Sequence, residues 1–402
     1  MRIGVNCFLF QPHVGGLKHY FVNLFRELLR ADDGNRYVFF WYAHNEEELA
    51  RLGTDRWRDD AVLLRDQREV LGHLNRIDLY FCPFSALYPR PVPRPTVVFL
   101  PDIQEVFYPE FFTTEDLYTR DLHFPGSTRM ADRVITISEF SKSTFVRFHG
   151  LGEERVVVAY LSADPAFYRA DEVARAPASP LPADFVFYPA NFWKHKNHDG
   201  LLQALARLRR ERGLSVPVVV TGYPDPAGYP LEAKAEEYGV RDLVHRPGYL
   251  GVEELAYLYR RARMLVFPSL FEGFGIPIIE AMAAGCPVVA AEATSVPEVA
   301  GGAAELFDPR SPPAIAAAIG RVWNDEALRR SLVERGRIRA RDFGPERTAA
   351  VHRRTFAEAA AAYSSRRFLW QRLVSQHTHR ALVESRWWWR RRRERTRSAA
   401  IS

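Results

Sequence analysis

The stretch SLFEGFGIPIIEAMAAGCPVVA, residues 269–290, decides the reading of this chain. It follows Met264–Pro268, an apolar run with the length and composition of a buried strand. Gly273 and Gly275 then turn the backbone tightly, and Pro277 suits the first turn of a helix, where its missing N–H would find no partner in any case. Pro287–Ala290 begins another strand. Strand, glycine turn, helix, strand is the unit of a parallel sheet, and open sheets of this kind bind ligands beyond the carboxyl ends of their strands. The N–H groups around Gly273, Phe274, Gly275 and Ile276, with the positive end of the helix dipole, form a cradle for an anion such as a diphosphate. Glu272 precedes the glycine turn and Glu280 lies about one turn into the helix, so both can reach one cleft. A carboxylate accepts hydrogen bonds from two neighbouring sugar hydroxyls, which suits Glu280 to a ribose and Glu272 to a transferred sugar.

The same alternation extends outward in both directions. Downstream of the strand Phe185–Tyr188 come a helix Leu201–Arg212, a strand Val216–Thr221 and helices Leu231–Tyr238 and Glu253–Arg261. Upstream, residues 2–9 read as a strand, followed by a loop with Gly15 and Gly16 and a helical Leu17–Leu29. Apolar runs at Tyr37–Tyr42, Leu79–Phe81, Thr96–Leu100, Val134–Ile137 and Val156–Ala159 continue a βα pattern. Residues 164–182, dense in alanine and proline without periodicity, mark a domain boundary. The expected organisation is a first domain at 1–170, a second at 180–345, a helix at 346–365 packing back on the first domain, and a tail at 366–402.

Composition narrows the function. With 402 residues, 47% of them hydrophobic, the chain can bury two cores. Cys7, Cys82 and Cys286 are scattered in apolar runs, which argues against a zinc site or a disulfide framework and for a reducing cytoplasm. No apolar run approaches the roughly 20 residues that span a bilayer. The net charge of +6 does not mark a nucleic-acid partner, because residues 366–402 hold eleven arginines against two glutamates, a net +9 that leaves the rest of the chain at −3.

Together the motifs resemble those of retaining glycosyltransferase family 4, also called glycosyltransferase group 1. E-x7-E within FEGFGIPIIEAMAAGCPVV, followed by TSVPEVAGGAAELFDP, looks like that family's donor site. The resemblance implies an α/β GT-B fold, with two Rossmann-like doubly wound domains facing an interdomain cleft. It also implies a nucleotide-sugar donor and retention at the anomeric carbon. NFWKHKNHDGLLQAL is similar to the family's basic diphosphate loop, with Lys196 at the family lysine, while Asn191 stands where an arginine is usual, so Lys194 is the candidate second cation. Only five lysines occur in the chain, and two of them flank His195. GGLKHY places Gly15 and Gly16 at the family's glycine loop, and Asp102, preceded by Pro101 in place of the usual histidine, falls after a strand with Gln104 nearby. Ser138–Lys142 looks like the family's helix-capping turn, and Ser138 is a plausible N-cap by chemistry alone.

The expected catalytic residues are Glu272, Lys196 and Asp102. Gly15, Gly16, Asn191, Lys194, Lys196, Glu272, Gly273, Phe274, Gly275, Ile276 and Glu280 are expected to hold the donor. No metal-ligand spacing and no D-x-D motif occurs, so no cofactor is expected beyond the nucleotide-sugar itself, with Lys196 and backbone N–H groups stabilising the departing diphosphate. The expected activity is transfer from a GDP- or UDP-sugar, GDP-mannose among them, to a hydroxyl of a glycan or lipid-linked acceptor in surface polysaccharide synthesis. The alternatives are a catalytically weak or inactive GT-B scaffold in a polysaccharide assembly complex, and a phosphorylase or epimerase on similar sheets. The tail, with Trp387–Trp389 before Arg390–Arg393, has two readings: contact with the anionic inner face of the cell membrane, or an unanchored arginine-biased extension.

Overall fold

The computed structural model describes residues 1–11, 16–31, 33–222, 229–248, 250–371, 373 and 378–388. The chain divides into two compact units, residues 1–137, 141–159 and 346–402 forming one, and residues 138–140 and 160–345 the other.

The first unit is built on seven strands: β1 (Arg2–Asn6), β2 (Arg36–Trp41), β3 (Val62–Leu63), β4 (Leu79–Cys82), β5 (Thr96–Phe99), β6 (Arg133–Thr136) and β7 (Val156–Val158). They lie in the order β3-β2-β1-β4-β5-β6-β7, every neighbouring pair parallel. Strands covered on both faces must be apolar throughout, and β4 and β5 are buried at every position. The helix Gly16–Arg30 covers one face through Phe21 and Phe25, whose rings lie 4.6 Å apart, with Phe25 5.1 Å from Phe39 of β2. The helix Pro345–Ala362 belongs to this unit, with Phe356 5.2 Å from Phe81. Its His352 is fully buried and neutral, because burial pulls its pKa down to about 4. Nδ1 therefore donates to the Thr348 carbonyl at 2.8 Å, and Nε2 accepts the Tyr20 hydroxyl at 2.6 Å.

The second unit carries β8 (Val186–Pro189), β9 (Val218–Thr221), β10 (Val244–His245), β11 (Met264–Phe267), β12 (Val288–Ala291) and β13 (Glu305–Phe307), ordered β10-β9-β8-β11-β12-β13 and again all parallel. Helices His198–Arg212, Val252–Arg261, Ile276–Ala284, Pro312–Asn324 and Glu326–Ala340 pack on it.

Two expectations are corrected. The boundary falls between Ala159 and Tyr160, not between 170 and 180. The intervening stretch folds onto the second unit, where Phe167 meets the Tyr259 ring at 5.5 Å and the Tyr168 hydroxyl donates to the Ala340 carbonyl at 3.0 Å. The described part of the tail is not an unanchored extension either. Gln371, Val383 and Trp387 are buried against the first unit. Residues 389–402, including Trp389 and Arg390–Arg393, lie outside the described residues.

Candidate active site

Strand order places the site. From β8 the chain runs outward through β9 and β10, then returns to lay β11 on the other side of β8, so the direction of winding reverses between β8 and β11. The loops after these two strands leave from neighbouring carboxyl ends, the position at which open parallel sheets bind their ligands. One loop carries Asn191, Lys194 and Lys196, and the other carries Glu272 and the glycine turn.

These loops are bound to each other. Leu270 N–H donates to the His195 carbonyl at 2.8 Å, and the Tyr188 hydroxyl, from β8, donates to the Lys196 carbonyl. Lys196 Nζ reaches Glu272 Oε1 at 2.6 Å. Asn197 stands in the left-handed region, φ 59°, where its short amide side chain is tolerated. Its Nδ2 donates to the Pro268 and Pro309 carbonyls at 3.0 and 2.8 Å, and its Oδ1 accepts Gly200 N–H at 3.2 Å to cap the helix His198–Arg212. One residue thereby ties the lysine loop to the ends of β11 and β13.

The glycine turn is held at three consecutive peptides. The Ser295 hydroxyl lies 2.9 and 3.2 Å from the carbonyls of Glu272 and Phe274, and the Ser138 hydroxyl donates to the Gly273 carbonyl at 2.7 Å. Glu272 N–H donates to Thr294 Oγ1 at 3.0 Å. Gly275, at φ 100°, caps the helix Ile276–Ala284, and a Cβ there would meet Ile278 Cδ1 at 3.1 Å. Glu298 accepts the first N–H groups of the helix Glu139–His149, at 2.7 Å from Glu139 and 3.1 Å from Phe140.

Glu280 is half-buried on the helix Ile276–Ala284 and accepts the Tyr259 hydroxyl on Oε2 at 2.8 Å. Burial pushes its carboxyl up to about 7; the Tyr259 bond opposes the rise, and the charge of Asp164 adds to it. Within the lysine loop, burial first and then the Lys196 charge pull His195 down to about 2, so it stays neutral and adds no cation.

The other expected residues are placed as follows. Lys194 is exposed and Asn191 half-buried on the lysine loop. The Phe274 ring packs in the core, 6.0 Å from Tyr160 and 5.6 Å from Phe343, so any ligand contact of Phe274 would be through its backbone. Ile276 is half-buried at the helix start. Asp102 and Gly16 belong to the first unit. Gly16 opens the helix Gly16–Arg30, and Gly15 lies outside the described residues. Asp102 Oδ1 accepts Gln104 N–H at 3.2 Å just beyond β5. Gln104 Nε2 is buried without a hydrogen-bond partner among the described residues, a donor available to a ligand. Among the described residues, no three His, Cys, Asp or Glu side chains are grouped so as to hold a metal ion.

Sequence reasoning missed Asn197, Thr294, Ser295 and Tyr259. An asparagine directly before a helical run is a readable N-cap signal. The hydroxyls and Tyr259 leave no local signal, since they act across 21 to 23 residues.

Two Rossmann-like parallel sheets, one with a basic loop and a glycine–glutamate loop at its switch point, define a glycosyltransferase of the GT-B class. The chain belongs to the glycosyl transferases group 1 family, whose model matches residues 170–339. It is 31% identical over 302 residues to the O-antigen chain mannosyltransferase B of Escherichia coli, the match covering 72% of this chain and 74% of that one. The MMP alpha-(1->4)-mannosyltransferase of Mycolicibacterium hassiacum is 32% identical over 241 residues, covering 58% of this chain and 56% of the relative. Among solved structures, Anabaena HepE in complex with UDP superposes with a TM-score of 0.67 at 19% identity, over 89% of this chain and 99% of that one.

Proposed function

We propose that this glycosyltransferase moves a mannosyl residue from a nucleotide-sugar to a hydroxyl of a glycan or lipid-linked acceptor in surface polysaccharide synthesis, with retention and without a metal ion. The observation that carries the reading is the Lys196–Glu272 pair at 2.6 Å, at the switch point of the second sheet and beside a glycine turn that opens a helix. A lysine ammonium and a helix N-terminus are what a departing nucleoside diphosphate requires. The two mannosyltransferase relatives favour mannose, and the UDP bound by the structural neighbour favours a nucleotide donor.

In the proposed reaction the bond from the anomeric carbon to the diphosphate oxygen breaks first, leaving an oxocarbenium-like sugar. The leaving phosphates take up the negative charge against Lys196 and the loop N–H groups. The acceptor oxygen bonds to the anomeric carbon on the face the diphosphate left, and its proton passes to a phosphate oxygen. Glu272, once Lys196 turns to phosphate, is free to accept sugar hydroxyls, and Glu280 accepts those of the ribose. Taken by itself, the first unit offers Asp102 and Gln104, whose Nε2 has no hydrogen-bond partner among the described residues, as groups suited to sugar hydroxyls.

The test is thermal unfolding against GDP-, UDP- and ADP-sugars, followed by turnover with whichever donor shifts the transition. A ligand at a hundred times its dissociation constant stabilises by about 2.7 kcal/mol. A shift with GDP-mannose that is lost in Glu280→Ala, together with transfer to an acceptor, supports the reading. Binding without turnover under any acceptor would favour the scaffold.

A further inference from the structure

We propose that the C-terminal helices of the first unit form a docking surface for an anionic lipid bilayer. Fifteen large hydrophobic side chains are exposed among the described residues, and five of them, Leu369, Trp370, Leu373, Leu382 and Trp388, fall within residues 369–388. Scattered exposed apolar residues are ordinary in a soluble domain, whereas a third of them in twenty residues marks a surface with a partner.

The inner faces of both segments are pinned, and this fixes what points outward. In the helix Ser365–Trp370, Arg367 Nη1 meets Asp132 Oδ1 at 3.4 Å and its Nη2 donates to the Ala131 carbonyl at 3.1 Å. Gln371 Nε2 donates to the Met130 carbonyl at 2.9 Å. Arg366, Leu369 and Trp370, spaced i, i+3 and i+4, are left on the opposite side, and Leu373, beyond the helix, is 72% exposed. In the second helix, residues 378–388, the contacts come from His379, Val383 and Trp387, spaced by fours, and from Arg386, whose Nη2 meets Asp121 Oδ1 at 3.1 Å. His379 Nε2 donates to the Leu122 carbonyl at 3.2 Å, and Trp387 Nε1 donates to Asp121 Oδ2 at 3.1 Å. Leu382 and Trp388 turn away from that seam, 59% and 52% exposed, and the exposed Arg380 pairs with Glu384 at 2.7 Å.

Charge selects the occupant. The described residues of 366–388 carry Arg366, Arg367, Arg380 and Arg386 against Glu384, a net +3, so two copies of this surface would repel each other, while an anionic bilayer attracts it. Tryptophan settles at the headgroup level and leucine in the adjoining acyl region. Each arginine brought near anionic headgroups strengthens binding about fivefold. No described helix is long and apolar enough to cross a membrane, and this surface does not require one.

The experiment is co-sedimentation of the full chain with phosphatidylcholine vesicles, with and without phosphatidylglycerol, alongside light scattering in the absence of lipid. The expected result is pelleting with phosphatidylglycerol vesicles that weakens with salt. Trp370→Ser/Leu373→Ser/Trp388→Ser is expected to lower the partition coefficient at least about tenfold with unfolding temperature and donor turnover unchanged. Leu373→Glu, at a side chain 72% exposed, guards against misfolding of the triple variant and is expected to weaken binding as well. Binding unchanged in the variants, or equal on vesicles without phosphatidylglycerol, overturns the proposal. So does a dimer that the triple variant converts to monomer, which would make this face an interface between copies of the chain.

Discussion

Lys196 and Glu272 meet at 2.6 Å, 76 residues apart in the chain, with 15% and 11% of their side-chain surfaces exposed. Each charge is largely withdrawn from water and answered by the other, so removing one leaves the survivor poorly solvated. Glu272→Ala is expected to cost about 1–3 kcal/mol of stability, read by thermal unfolding without ligand. In the double variant with Lys196→Met the loss should be smaller than the sum of the singles. Turnover should fall about 10²–10³-fold in Glu272→Ala while nucleotide binding changes far less. Wild-type turnover would remove Glu272 from the site.

Glu280 titrates in the working range because burial lifts its pKa from 4.5 to about 7. The folded state thus holds a proton that the unfolded state releases, and this contribution to stability is present below pH 4.5 and lost as pH rises through about 7. Under the proposed function, in which ribose hydroxyls donate to the ionised carboxylate, ligand affinity is expected to have the opposite slope. Nucleotide affinity, measured by calorimetry, is expected to rise by up to about tenfold per pH unit below pH 7 and to level off above it. Glu280→Gln should abolish the slope. Tyr259→Phe, which deletes a bond to the carboxylate, should move the midpoint upward.

Asn197 combines a left-handed backbone with three side-chain bonds. Asn197→Ala is expected to destabilise by about 2–4 kcal/mol through the lost cap, the lost bonds to two carbonyls and the strained φ. Asn197→Gly relieves only the last of these. If glycine restored full stability, the bonds to Pro268 and Pro309 would contribute nothing.

Thr294 is β-branched yet sits at φ 52°, a conformation such residues avoid, while its hydroxyl accepts Glu272 N–H. Thr294→Gly should therefore leave stability within about 1 kcal/mol of wild type and still lower kcat, whereas Thr294→Ser should keep most activity. Unchanged kcat in the glycine variant would make the threonine dispensable for placing Glu272.

Legibility followed the range of the interactions. The central strands were readable because burial on both faces demands runs such as VVFL and MLVF, but β3, β10 and β13 have only two or three residues each and are defined by pairing to a neighbour. The helix Thr114–Met130 hides for another reason: it shows no clear apolar stripe and contains Pro125. Residues 164–182 read as a domain boundary, since the rings that receive part of them, such as Tyr259 against Phe167, lie far along the chain.

By itself the sequence determined two parallel α/β sheets, a glycine turn that opens a helix after Pro268 and the residue types of the proposed nucleotide-sugar chemistry. Each of these follows from periodicity, composition and turn chemistry within a few neighbouring residues. Only the tertiary structure decided that Lys196 is paired with Glu272, that Tyr259 hydrogen-bonds Glu280, and that Trp387 is pinned while Trp388 is exposed. The reason is that strand order brings β8 beside β11, and packing brings the C-terminal helix onto Thr114–Met130. Contacts between residues so distant in the chain are set by which surfaces bury each other, and no local pattern encodes them.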